Sequence, residues 1–225
     1  MEQDLILEKS VLFSGLSPAD RAYALEYFSA KVERYERGDF LNRVGSPLPC
    51  FGMVLSGTIQ VYMDDIDGNH MIMANVGEGD TFGESLCFLG QDAPVYICSV
   101  TASEVLWMHV DRLHRQSAST DPRDAMLANR FISMLAQRTL AMNDRIQILS
   151  KITIRDKLIT FFSQYASRSG SGRITIPFDR ENMATYLGVN RSALSRELSR
   201  MREEGIIDFH KNSFVIPHLF AENGK

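Results

Sequence analysis

The spacing of apolar positions changes character three times along the chain. Between residues 32 and 110, short apolar or alternating runs are punctuated by glycine. "FGMVLSGTIQVYMDDIDGNHMIMANVGEGDTFGE" sets Gly57, Gly68, Gly77, Gly79 and Gly83 between such runs. In "TIQVYM", Ile59, Val61 and Met63 fall on one face and polar or aromatic residues on the other, the period-two signature of a half-buried strand. "DIDGN" contains an Asp-Gly pair, which supplies the positive φ that a tight hairpin turn demands. Many short strands at this spacing predict a sandwich or jelly-roll barrel.

From Asp121 the period lengthens. In "DPRDAMLANRFISMLAQRTLAMNDRIQIL" a three-four spacing picks out Ala128, Ile132, Leu135, Thr139, Met142, Ile146 and Leu149. Asp121 followed by Pro122 predicts a helix start, because proline is preorganised for the first helical position. An a/d series with one polar member, about three heptads long, predicts a coiled-coil seam and a parallel homodimer. The competing reading is a single amphipathic helix packed on its own barrel.

After residue 152 come a helical pattern ("TIRDKLITFFSQYA"), a polar loop ("SRSGSG") and a strand ("RITIPF"). Helix, turn, helix and hairpin follow. Asp179 is a good N-cap for the first of these helices. Met183, Ala184 and Leu187 form its inner face, Gly188-Val189-Asn190 the tight turn, and Asn190 caps the next helix. Leu194, Leu198 and Met201 point inward from that second helix, which leaves Arg191, Ser192, Ser195 and Arg196 on its first exposed turns. "REEGIIDFHKNSFVI" reads as a two-stranded wing turning at His210 to Ser213. A DNA-reading helix presents its first turns to the major groove, where arginine can donate two hydrogen bonds to guanine. Asn190 and the free N–H groups beside it suit a phosphate oxygen. The expected organisation is α+β: a β-barrel domain over 1–120, a dimerisation helix and hinge over 121–151, and a winged helix-turn-helix over 152–225.

Composition adds four points. With 44 % hydrophobic and 23 % charged residues in 225, the chain is that of an ordinary globular protein. It has no apolar run near the roughly 18 residues that span a bilayer and no basic, apolar leader in "MEQDLILEKSVLFSGL", so the expected compartment is the cytoplasm, without membrane attachment. The net charge of −4 hides an asymmetry: residues 151–225 carry 12 Lys and Arg against 8 Asp and Glu, so the acidic excess lies in the remainder. A basic end on an acidic body suggests that the end alone meets a polyanion. Cys50, Cys87 and Cys98 form no C-x-x-C pair, and the five histidines show no metal spacing, so buried thiols and no metal are expected.

Taken together, "LFSGLS", "GEGDTFGES", the long helix and "YLGVNRSALSREL" resemble the Crp/Fnr family of bacterial transcription regulators, and the likeness runs almost end to end. The resemblance implies a cyclic-nucleotide-binding-like barrel, and a homodimer addressing a two-fold symmetric double-stranded DNA site together with RNA polymerase. By position, Arg191 and Arg196 match the family's base-contacting arginines, and Ser192 and Ser195 its other specificity positions; many members carry Glu where this chain has Ser192. Cyclic-AMP-binding members follow "G-E" with Arg-Ser some ten residues on. This chain keeps Gly83 and Glu84 but has Ala93-Pro94 there, and Met142 and Asn143 where the adenine is met. A buried phosphate without a guanidinium would cost several kcal/mol, so cyclic AMP is disfavoured. An iron–sulfur cluster is not expected, because the family's clustered N-terminal cysteines are missing. The expected effector is another small molecule, with Gly83, Glu84, Ser85, Met142 and Asn143 as its candidate contacts, or none. Two rivals stand beside this reading: an effector-binding regulatory protein acting on a protein partner, and a jelly-roll metalloenzyme. The second lacks the paired histidines such enzymes use, and the chain is expected not to be an enzyme.

Overall fold

The computed structural model describes residues 2–64, 70–115, 121–176 and 178–217. It divides into two compact units, Met1–Gln137 and Arg138–Lys225.

The first unit opens with helices α1 (Glu2–Leu7) and α2 (Pro18–Tyr27). Ser17 caps α2 by accepting from the amide of Asp20 at 3.1 Å, with Pro18 as the first helical residue. Eight strands follow: β1 (Lys31–Tyr35), β2 (Phe40–Asn42), β3 (Cys50–Ser56), β4 (Ile59–Asp64), β5 (His70–Val76), β6 (Thr81–Phe82), β7 (Tyr96–Ser99) and β8 (Ser103–His109). Two short helices interrupt or follow them, α3 (Glu84–Leu89) and α4 (Asp111–His114). The strands form two antiparallel sheets, ordered β1-β8-β3-β6 and β2-β7-β4-β5. This is the expected jelly-roll.

Strand β8 shows why the first sheet reads as almost continuously apolar. Its side chains alternate between two cores, each buried. Val105 and Trp107 join Val54 and Phe82 of the same sheet and Ile59 and Ile97 of the other, filling the space between the sheets. Leu106 and Met108 join Phe51, Met53 and Leu55 on the outer face, under Leu12, Phe13, Tyr27 and Phe28. Ile59, Val61 and Met63 do share the inner face of β4. The "DIDGN" turn lies outside the described residues, but β4 and β5 on either side of it pair antiparallel through Asp64 and His70.

Helix α5 (Pro122–Leu149) begins at the proline, as expected, and the division between the units falls within it. The second unit continues with α6 (Ile154–Ser169), β9 (Arg173–Thr175), α7 (Arg180–Leu187), α8 (Arg191–Glu203), β10 (Asp208–His210) and β11 (Ser213–Val215). Strand β9 is shorter than "RITIPF", and Pro177 lies outside the described residues. The wing is a three-stranded antiparallel sheet, β10-β11-β9, one strand more than the two-stranded hairpin of the sequence reading. Phe161, Phe162, Leu187, Leu194, Leu198 and Phe214 centre one core beneath it.

Candidate functional site

The second unit builds its exposed helix from local contacts. The Asp179 carboxylate accepts from the Asn182 amide at 2.7 Å and starts α7. Gly188 ends α7 at φ +61°, a left-handed conformation that favours glycine, and a Cβ there would press on Leu149 Cδ2 at 3.0 Å. Lys157 Nζ donates to the Leu187 carbonyl at 3.0 Å, meeting an acceptor that the helix end leaves open. Asn190 Oδ1 then accepts from the amides of Ser192 (2.9 Å) and Ala193 (3.4 Å) and starts α8. Leu194, Leu198 and Met201 are buried. Asn190, Arg191, Ser192, Ser195 and Arg196 are all exposed. The structure brings these five together on the first turns of one helix.

Their hydrogen bonds refine the roles. Ser192 Oγ donates to Asn190 Oδ1 at 2.5 Å and Ser195 Oγ donates to the Arg191 carbonyl at 3.0 Å. Both protons are spoken for, so toward a ligand each hydroxyl offers lone pairs. Asn190 Oδ1 is likewise committed to capping, which leaves its amide NH2 for a phosphate. Arg191 Nη1 lies 3.4 Å from Glu181, with both side chains mostly exposed, a pairing too weak to hold the arginine back. Arg196 has no ion-pair partner among the described residues.

Two structural groups here carried no sequence signal. Arg155 donates to Glu204 at 2.7 and 2.8 Å and to Glu197 at 2.6 Å, tying α6 to α8; these carboxylates hold the guanidinium pKa above its usual value. Arg180 lies against both Phe209 and Phe214, 5.0 and 5.1 Å from their ring centroids, which are themselves 5.5 Å apart, and donates to the Lys211 carbonyl at 3.1 Å. Burial lowers its pKa. Lys211 itself sits at φ +53°, a turn conformation that side-chain-bearing residues rarely adopt. Arg180 thus braces the wing turn, through a partner 31 residues away that no local pattern announces.

In the first unit, Gly83 precedes α3 at φ +81°, and a Cβ on it would meet Leu48 Cδ2 at 2.5 Å. A tight turn therefore accounts for the glycine. Glu84 is buried, 3 % exposed, while Ser85 faces solvent. Ala93 is fully buried, its amide on the Ser46 carbonyl at 3.0 Å. Phe82 occupies the space between the sheets, edge-on to Trp107 at 5.4 Å. A Cβ on Gly52 would be 2.3 Å from the Phe82 ring, so that glycine is what admits the ring. Met142 and Asn143 belong to the second unit, where both are exposed on α5. Of the three thiols expected to be buried, only Cys87 is; Cys50 and Cys98 are half-buried. Burial pushes Cys50 up to about 11 and Cys87 to about 12, and raises Cys98 as well, which disfavours the thiolate.

Helix α5 corrects part of the seam reading. Ala128 is 3 % exposed, beside buried Leu127, Phe131 and Met134, so this end of the helix covers its own unit's core and Ala128 cannot meet a partner. Leu135 is half-buried against the same core. Ile132, Thr139, Met142, Ile146 and Leu149 are exposed, with Ile132 and Met142 at 60 %. The first half of the helix therefore buries one face on its own unit, as the single-helix alternative describes, and leaves Ile132 exposed on another. No helix among the described residues is long and apolar enough to cross a membrane.

Two family models match this chain: the Cyclic nucleotide-binding domain over residues 32–119 and the Crp-like helix-turn-helix domain over residues 156–220. The CRP-like cAMP-activated global transcriptional regulator of Mycobacterium tuberculosis is 24 % identical over 218 residues, covering 95 % of each chain. The Cyclic AMP receptor protein of Thermus thermophilus is 23 % identical over 201 residues, covering 89 % of each. Among solved structures, the c-di-GMP responsive global regulator CLP of Xanthomonas campestris shares the fold with a TM-score of 0.54 at 19 % identity, over 87 % of this chain and 98 % of that one.

Proposed function

The chain belongs to the Crp/Fnr family of transcription regulators, and from that membership we propose that it acts as a homodimer reading a two-fold symmetric DNA site under the control of a small molecule other than cyclic AMP. The observation that carries the DNA reading is the first exposed face of α8, where Asn190, Arg191, Ser192, Ser195 and Arg196 stand together beside a braced wing. Arg196 and Arg191 address base edges, the two serines accept from bases or the backbone, and the Asn190 amide meets a phosphate.

Two copies align along Ile132, Leu135, Thr139, Met142, Ile146 and Leu149. The expected hinge at residues 150–153 lies inside the second unit, where Ile148 of α5 shares the core of α6 and Gln164 donates to the Asp144 carbonyl at 3.0 Å, so it does not separate the two units; one of two states sets the recognition helices about one DNA turn (~34 Å) apart. An effector shifts that balance only by binding one state better, through a coupling of roughly 1–3 kcal/mol. Relatives whose names declare a cyclic nucleotide do not transfer that ligand, because buried Ala93 offers no counter-charge to a phosphate. The protein works in the cytoplasm beside RNA polymerase and carries no catalytic machinery in this reading.

The test is selection of genomic duplex fragments by the full-length protein, with and without cell extract, followed by Arg196→Ala. The expected outcome is a palindromic site, with the variant losing about 1–3 kcal/mol there and relaxing selectivity at one base pair. Retention of no fragment would overturn the reading in favour of a regulatory protein partner. An equal loss on all sequences would remove direct readout by Arg196.

A further inference from the structure

Strand β1 places Lys31, Glu33 and Tyr35 on one face at period two, next to Trp107 and His109 of β8. With Leu41, Leu48 and their neighbours they enclose a cleft of about 300 Å³ within the first unit, at the β1 side of the barrel. Its polar part is built in advance. Trp107 Nε1 donates to the Tyr35 hydroxyl at 2.9 Å, and that hydroxyl donates to Glu33 Oε2 at 2.6 Å. Burial and the adjacent carboxylate keep the phenol protonated, so the relay holds the Glu33 carboxylate in place with one oxygen uncommitted to Tyr35. Lys31 has no ion-pair partner among the described residues and stands two residues along the same face, about 7 Å away by strand geometry.

The cleft therefore offers one fixed negative group, one available cation and an apolar floor made by Trp107, Leu41 and Leu48. A simple organic anion would meet Glu33, and a simple amine would meet Lys31. A molecule bearing both charges is matched at both ends. The volume lies at the bottom of the roughly 300–1,000 Å³ that small-molecule sites occupy, which suits one amino acid rather than a dinucleotide. We propose that this cleft binds a small zwitterion with an apolar body, an α-amino acid of about phenylalanine's size. Its carboxylate faces Lys31, its ammonium faces Glu33, and its side chain lies on the Trp107 floor. Only the step that makes this ligand a regulator rests on the sensor reading above; binding stands without it.

Trp107 is the chain's one tryptophan, so emission from the full-length protein reports on this cleft directly. L-phenylalanine, phenylacetate and phenethylamine share one apolar body and differ in charge. Titration of each should show phenylalanine binding roughly three- to fivefold more tightly than either of the others. Lys31→Met should cancel its advantage over phenethylamine, and Glu33→Gln its advantage over phenylacetate; both positions are exposed, so the fold should survive. The assignment is overturned if no probe gives a saturable change, if the three bind equally, or if both variants bind as the parent does. A saturable change that leaves affinity for a mixed-sequence duplex unmoved keeps the site and removes its regulatory role.

Discussion

The two units place their chemistry in opposite ways. In the second, the side chains assigned to DNA lie between Asn190 and Arg196, all on the surface, and caps within three residues of their targets set the geometry. In the first, the groups lining the cleft come from strands as far apart in sequence as β1 and β8, and they meet only because Lys31 pairs with Trp107 across the sheet. The exposed face of α8 is made by local chemistry on a packed base, the barrel cleft by long-range register. Changes in the second unit should therefore be small and separable, and changes in the first should propagate through a shared core.

The largest expected effect falls on the helix common to both units. Replacing Ile132 and Met142 with glutamate should abolish dimerisation and DNA binding, measured by sedimentation and by duplex retention, because charges in an apolar seam cannot be desolvated cheaply. A variant still dimeric would place the interface elsewhere. Next, Phe82→Ala should cost about 3–5 kcal/mol in urea unfolding of the full chain, since the ring fills the space between the sheets and Gly52 leaves nothing to replace it. A much smaller loss would mean that the barrel interior collapses readily and is less rigid than its packing implies.

Asn190→Ala should cost about 1 kcal/mol through the lost cap. It should also lower duplex affinity while leaving phenylalanine titration at Trp107 unchanged, which tests the independence of the two sites. The smallest effect is alkaline. The thiols of Cys50 and Cys87 ionise near an ordinary 9.0 when unfolded but only at about 11 and about 12 when folded. Between those values the unfolded chain binds fewer protons, so stability should fall as pH rises above 9 and be flat for these groups below it. Cys50→Ser with Cys87→Ser should flatten the slope in a pH series of urea midpoints.

Much of the fold was legible because its signals are short. Asp179, Gly188 and Asn190 cap or end helices through contacts that span a few residues, and period-two alternation in "TIQVYM" reports a half-buried strand wherever that strand lies. The five exposed positions on α8 follow from the same periodicity that buries Leu194, Leu198 and Met201. What was misread had more than one partner. Ala128 fits a heptad as well as it fits a buried position beside Leu127 and Phe131, and a repeat cannot say which neighbour arrives. Helix α2 has a readable trace in "SPAD", where Ser17 caps it.

By itself the sequence determined the succession of barrel, long helix and winged helix-turn-helix, the family, and the face of α8 that is exposed, because the signals for each are periodicities and motifs local in the chain. Only tertiary structure decided that Arg180 braces the wing, that Phe82 closes the barrel over Gly52, and that Lys31, Glu33, Tyr35 and Trp107 share a cleft. Each of those depends on strand register and on the packing of distant segments. A one-residue slip would reverse every side chain on a strand, and composition or spacing along the chain does not encode which strand lies opposite.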